Sequence, residues 1–176
     1  MKNQIFPFAG NQPKIGARVL IAPGACIIGR VTLGDDVSVF PNVVLRGDIN
    51  SIVIGNRTNI QDNATVHLAD GFGVVVGENV TIGHNAVVHA CTIESCCTIG
   101  MGAIVMDGAI IRKNSIVGAG SLVTGGSDFP EGSLILGSPA KVKRPLTATE
   151  IAGNLTAAGK YVAVKDELLK SFLAPS

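Results

Sequence analysis

The sequence predicts an all-β solenoid, a parallel β-helix of about six coils, followed by one C-terminal α-helix. Three observations carry this prediction. An aliphatic residue recurs every six positions, a small or β-branched residue stands four places after most of them, and the chain has 22 glycines with only 4% aromatic residues. The aliphatic repeats run Ile15, Ile21, Ile27, Leu33, Val39 and Leu45. After a three-residue slip they resume at Ile54, Ile60 and Val66, and after a four-residue insertion at Val76, Ile82 and Val88. A one-residue deletion precedes Ile93, Ile99, Val105, Ile111, Val117 and Val123.

Each hexapeptide reads as one short strand and a corner, so three of them close a triangular coil. The eighteen repeat starts therefore make six coils. The aliphatic residue and its small companion (Ala25, Val43, Ala64, Ala86, Thr92 and Ser115 among them) point inward and stack on their equivalents. One coil cannot bury its apolar face, whereas a stack can. Glycine suits the tight corners, and a narrow core has no room for large rings.

The pattern breaks at Gly137-Ser138-Pro139-Ala140-Lys141. Thr147-Ala148-Thr149-Glu150 then reads as a capping box opening a helix. Ile151, Leu155, Val162, Leu168, Leu169 and Phe172 supply its apolar stripe, interrupted near Gly159. Residues 1–136 are thus expected to form the β-helix domain, and 137–176 an extension and helix packed on its wall.

Composition narrows the function. A formal net charge of +1 gives no electrostatic case for nucleic acid. No apolar run approaches the ~20 residues that span a bilayer. Met1-Lys2-Asn3-Gln4-Ile5 lacks the features of a secretory leader, so a cytoplasmic location is expected. Cys26, Cys91, Cys96 and Cys97 then read as free thiols, with Cys97 in an inward slot and Cys91 and Cys96 at corners.

The chain has three histidines, and the repeat frame places each. His67 and His89 follow Val66 and Val88, one coil apart on one face, so they stack ~4.8 Å apart by strand spacing. His84 sits at the corner where the His89 strand begins, roughly 16 Å of extended chain away. A metal needs its nitrogens about 2.0–2.1 Å distant, so His84 cannot join the pair within one subunit. A homotrimer about an axis parallel to the prism would bring one subunit's His84 to its neighbour's His67 and His89. Arg46 shares the edge of His67 and His89, while Gln61 and Asp62 share that of His84.

Arg46-Gly47-Asp48, Asn59-Ile60-Gln61-Asp62, Val66-His67 and Ile82-Gly83-His84-Asn85-Ala86-Val87-Val88-His89 resemble the signature of the γ-class carbonic anhydrases and their close homologues. The similarity runs from about residue 12 to the C-terminal helix. It implies that His67, His84 and His89 hold a divalent metal, zinc first, with iron or cobalt as the other choices. It implies that Gln61 hydrogen-bonds a metal-held hydroxide that attacks carbon dioxide to give bicarbonate, and that Asn59 helps position the carbon dioxide. Arg46, Asp48 and Asp62 would form ion pairs across the subunit interface, Arg46 being a candidate for binding bicarbonate, and Tyr161 would line the site. A left-handed coil follows from the wider likeness to hexapeptide-repeat proteins, since periodicity does not set the hand.

The chain departs from the family's pattern where protons leave. The loop Leu68–Val75 carries a single acid, Asp70, and Ile49 stands where the pattern has a glutamate. Two other readings remain open. One is a coenzyme A-dependent acyltransferase on the same scaffold, with one histidine as base. The other is a non-catalytic trimeric module that binds metal or serves in assembly.

Overall fold

Stacked in register, the aliphatic repeats build three parallel β faces around one apolar core. The computed structural model describes residues 4–173; Met1, Lys2 and Asn3, read above for a leader, lie outside them, as do 174–176. The first face stacks Ile5, Ile27, Leu45, Val66, Val88, Val105 and Val123. The second stacks Ile15, Leu33, Ile54, Val76, Ile93, Ile111 and Phe129. The third stacks Ile21, Val39, Ile60, Ile82, Ile99, Val117 and Ile135.

Each face therefore has seven rungs, and the solenoid seven coils rather than six. One of the three extra rungs, Ile5, was hidden because ten residues separate it from Ile15. At the other end the repeat continues through Phe129 and Ile135, an aromatic rung and a strand that turns back. That last strand, Ser133–Gly137, pairs antiparallel with Ala140–Pro145 and closes the third face.

All the irregular spacing falls at one edge. Steps from the second face to the third, and from the third to the first, are always six residues. Steps from the first face to the second vary: nine from Leu45 to Ile54, ten from Val66 to Val76, five from Val88 to Ile93. The long strand Val44–Ile54 absorbs the first of these by running through the corner. The five-residue step also moves two residues from their expected places. Cys91 is buried in the core instead of lying at a corner, and Thr92 faces outward and is half-buried instead of filling an inward slot. One missing residue inverts the alternation at this corner only, and the inward pattern resumes at Ile93.

Corners need a left-handed residue, and the sequence supplies glycine or asparagine where the third face turns into the first. Gly24, Asn42, Asn63, Asn85, Gly102 and Gly120 all have positive φ there. Asparagine tolerates that region because its short side chain bonds locally. Asn42 Nδ2 donates to Asn63 Oδ1 at 3.3 Å, one coil to the next.

Ala148–Leu173 form the helix. Its start is a reciprocal capping box: Glu150 accepts from the Thr147 backbone N–H at 2.8 Å, and Thr147 Oγ1 accepts from the Glu150 N–H at 3.3 Å. The helix packs on the third face against the rungs at Leu20, Ser38, Asn59 and Thr81. The side it buries carries Asn154, Ala158 and Lys165, with Tyr161 half-buried between them. The expected apolar stripe is only partly covered: Ile151, Val162, Leu168 and Leu169 are half-buried, while Leu155 is 50% exposed and Phe172 38%. The reason is the surface being covered, where the outward residues Ser38, Asn59 and Thr81 are polar and buried. A helix docking there needs small and hydrogen-bonding side chains. Among the described residues no helix is long and apolar enough to cross a membrane.

Candidate functional site

Two edges of the first face hold the three histidines. His67 and His89 pair in register on adjacent rungs, as the repeat frame requires. Their rings are tilted with centroids 5.2 Å apart, and His67 Nδ1 faces His89 Nε2 at 3.2 Å. His67 Nε2 lies 3.1 Å from Asp48 Oδ1, and His89 Nδ1 lies 2.5 Å from Asp107 Oδ1.

These partners decide the protons. A carboxylate only accepts, so each imidazole must turn an N–H toward its aspartate. In neutral rings the two facing nitrogens then both present lone pairs. Lone pairs at 3.2 Å repel unless a proton or a metal ion lies between them. Two nitrogens bound tetrahedrally to one zinc stand about 3.3 Å apart, given bonds of about 2.0–2.1 Å. Histidine ligands commonly give their other N–H to a carboxylate. The donor set therefore fits a divalent ion.

Asp48 is held at the edge by several groups. Burial pushes its carboxyl up, but hydrogen bonds from His67, the Ile49 backbone N–H and Arg46 outweigh it, so its pKa lies below the ordinary value. Arg46 pairs with Asp48 inside the same chain. Half of the Arg46 side chain remains open, at 46% exposure.

His84 occupies the opposite edge. It precedes the left-handed Asn85 in the turn Gly83–Ala86, closed by the Ala86 N–H donating to the Gly83 carbonyl at 3.2 Å. Its Nδ1 lies 2.9 Å from Asp62 Oδ2, one coil away. Among the described residues of the single chain, no three His, Cys, Asp or Glu side chains gather into a metal-holding group. Asp48 and Asp62, expected to reach across an interface, are both paired within the chain.

Asn59 and Gln61 lie on the third face, beside the His84 edge. Gln61 Nε2 donates to Asn59 Oδ1 at 3.1 Å, and Asn59 Nδ2 donates to Thr81 Oγ1 at 2.9 Å. Asn59 is 1% exposed and Gln61 5%. Tyr161 reaches this region from the helix, its ring edge-on to Phe40 at 5.7 Å. Phe40 directly follows Val39 as Gln61 follows Ile60, so the ring and the amide are neighbours in one column.

Sequence reasoning missed Asp107, which stands two residues past Val105, on the rung beyond His89. Extending the histidine column by one coil reaches Met106 instead, one residue short of it, so the count alone does not find Asp107. It also missed Lys165, fully buried at the helix, with Nζ 3.0 Å from Asp36 Oδ1 and 3.1 Å from the Arg18 carbonyl. An isolated lysine in a helix gives no sequence signal of that kind.

Comparison with known proteins agrees with the fold. The family described as Bacterial transferase hexapeptide (six repeats) matches residues 90–125. Protein YrdA of Escherichia coli is 43% identical over 96% of both chains. A protein of Methanocaldococcus jannaschii named "Probable carbonic anhydrase" is 46% identical over 88% of this chain and 97% of its own. The crystal structure of a hexapeptide transferase family protein from Anaplasma phagocytophilum superposes with a TM-score of 0.91. It is 41% identical and covers 95% of this chain and 99% of its own. The repeat register, the histidine pair on adjacent rungs and these full-length relatives converge: the chain belongs to the γ-carbonic anhydrase-like family of hexapeptide-repeat proteins.

Proposed function

We propose that the chain is a metal-dependent enzyme that hydrates carbon dioxide to bicarbonate, working as a homotrimer. Each site would take His67 and His89 from one subunit and His84 from the next. The observation that carries the reading is the pair of facing ring nitrogens, 3.2 Å apart, each imidazole backed by an aspartate. The name of the Methanocaldococcus jannaschii relative supports it.

A divalent ion, zinc before iron or cobalt, would lower the pKa of its coordinated water to about 7. The chain's own residues do the rest. Asp48, Asp107 and Asp62 hold the three imidazoles with the correct nitrogen free. Gln61 accepts a hydrogen bond from the nucleophile, and the exposed guanidinium of Arg46 attracts the bicarbonate anion. Asp70 is the single acid of the Leu68–Val75 loop and the nearest candidate there to carry a proton to solvent.

Stopped-flow hydration by zinc-loaded protein, and by iron-loaded protein kept free of oxygen, tests this. The expected result is a rate above buffer that His67→Ala abolishes. Metal binding without any rate would instead favour the non-catalytic module. Acyl transfer is the second reading, favoured by the name of the Anaplasma phagocytophilum protein. It predicts that acetyl-coenzyme A raises the melting temperature and that His67→Ala leaves this rise intact.

A further inference from the structure

We infer that Thr81 is a positioning residue that anchors Asn59, whose polarity the Val80 carbonyl sets, and so holds the Gln61 amide with one chosen end facing the site. The inference rests on the hydration reading for what Gln61 does there, but the positioning itself follows from hydrogen-bond polarity alone. A side-chain amide has a donor end and an acceptor end of nearly equal size, so packing cannot choose between them. Only its partners can.

The choice begins at a group that cannot reverse. The Val80 carbonyl is an acceptor only, and Asn59 Nδ2 lies 3.4 Å from it. The same nitrogen donates to Thr81 Oγ1 at 2.9 Å; a hydroxyl serves either end of an amide, so the Val80 carbonyl sets the polarity and Thr81 supplies the shorter anchoring bond. With its nitrogen held there, Asn59 must turn Oδ1 toward Gln61. Gln61 must then offer Nε2, which it does at 3.1 Å. The remaining end of Gln61 is its carbonyl oxygen, and among the described residues no side chain or backbone group donates to it. Gln61 therefore presents an acceptor, the polarity needed to receive a hydrogen bond from a hydroxide nucleophile.

This order also changes what Asn59 does. It is 1% exposed, with its donor end and its acceptor end both engaged. It has no free N–H for carbon dioxide within the chain, and it acts through Gln61. Thr81, 7% exposed and paired in register with Asn59, lies on the third face, which the C-terminal helix covers. The next rung is different. Thr98 Oγ1 donates to Asn154 Oδ1 of the helix at 2.9 Å and has no part in the amide chain.

The test compares Thr81→Val, Thr81→Ser and Thr98→Val in the ¹⁵N-labelled full chain, read first without metal by the side-chain amide signals of Asn59 and Gln61. Thr81→Val is expected to shift both amide pairs and speed their hydrogen exchange, Thr81→Ser to restore both, and Thr98→Val to leave Gln61 unmoved. In the metal-loaded protein, Thr81→Val is expected to lower kcat about tenfold with KM little changed, the effect of one hydrogen bond. Gln61 signals that stay put in Thr81→Val, or that move as far in Thr98→Val, overturn the inference. If wild-type protein hydrates no carbon dioxide, the functional reading fails while the amide signals still decide the positioning. Should Thr81→Val not fold, Thr81→Ala with the same readout and a thermal melt takes its place.

Discussion

Asp107 Oδ1 stands 2.5 Å from His89 Nδ1, one rung beyond the stacked imidazoles. That contact turns the His89 proton away from His67 and leaves Nε2 as a lone pair. Outer carboxylates of this kind are worth roughly 10–100-fold in metal affinity. Asp107→Ala should therefore weaken zinc binding by about that factor, measured by competition with a chelator. Unchanged affinity would remove Asp107 from the site.

The separation of His84 from the other two imidazoles makes a complementation experiment decisive. His67→Ala chains and His84→Ala chains should each be inactive alone. Unfolded together in equal amounts and refolded, random assortment in a cyclic trimer should restore about one quarter of the sites. The readout is bound zinc per chain and hydration rate. A mixture as empty as its parents would show that the three ligands do not come from two subunits.

Asp36 ties the helix to the prism and predicts an acid limit. Arg18 hydrogen-bonds it at 2.9 Å and, despite the opposing cost of burial, Lys165 adds a second bond, so its pKa falls to about 2. A folded value below the unfolded one means the stabilisation is complete above the ordinary carboxylate value of 3.8 and drains as pH falls toward about 2. Urea unfolding of Asp36→Asn should lose that part of the pH slope. Lys165→Met should cost about 3 kcal/mol at neutral pH, the low end for a broken buried pair because Arg18 still partners Asp36.

Close approach of adjacent coils makes some glycines irreplaceable and others not. A Cβ on Gly55 would lie 2.6 Å from the Gly77 carbonyl carbon, whereas one on Gly71 meets nothing within 4 Å. Gly55→Ala should destabilise by about 1–3 kcal/mol, since neighbouring backbone cannot give way. Gly71→Ala should leave the denaturation midpoint unchanged.

Much of this architecture was legible in the sequence because a solenoid repeats one local rule. Ile60, Ile82 and Ile99 share a face by counting alone, and so do His67 and His89. The capping box at Thr147 was equally local, needing only residues three apart. The seventh coil was only partly legible: ten residues hide Ile5 from Ile15, whereas Phe129 and Ile135 keep the six-residue period past Val123. The displacement of Cys91 and Thr92 by the five-residue corner was not legible.

By itself the sequence determined the prism, the faces and the columns, because side-chain direction in a hexapeptide coil depends on position within the repeat. Only the tertiary structure decided which polar groups meet. Asp107 finds His89 across a coil, Lys165 finds Asp36 across 129 positions, and Asn154 meets Thr98 from the C-terminal helix. Hydrogen bonds demand direction and contact, and no periodicity encodes where a helix lays its side chains on a finished wall.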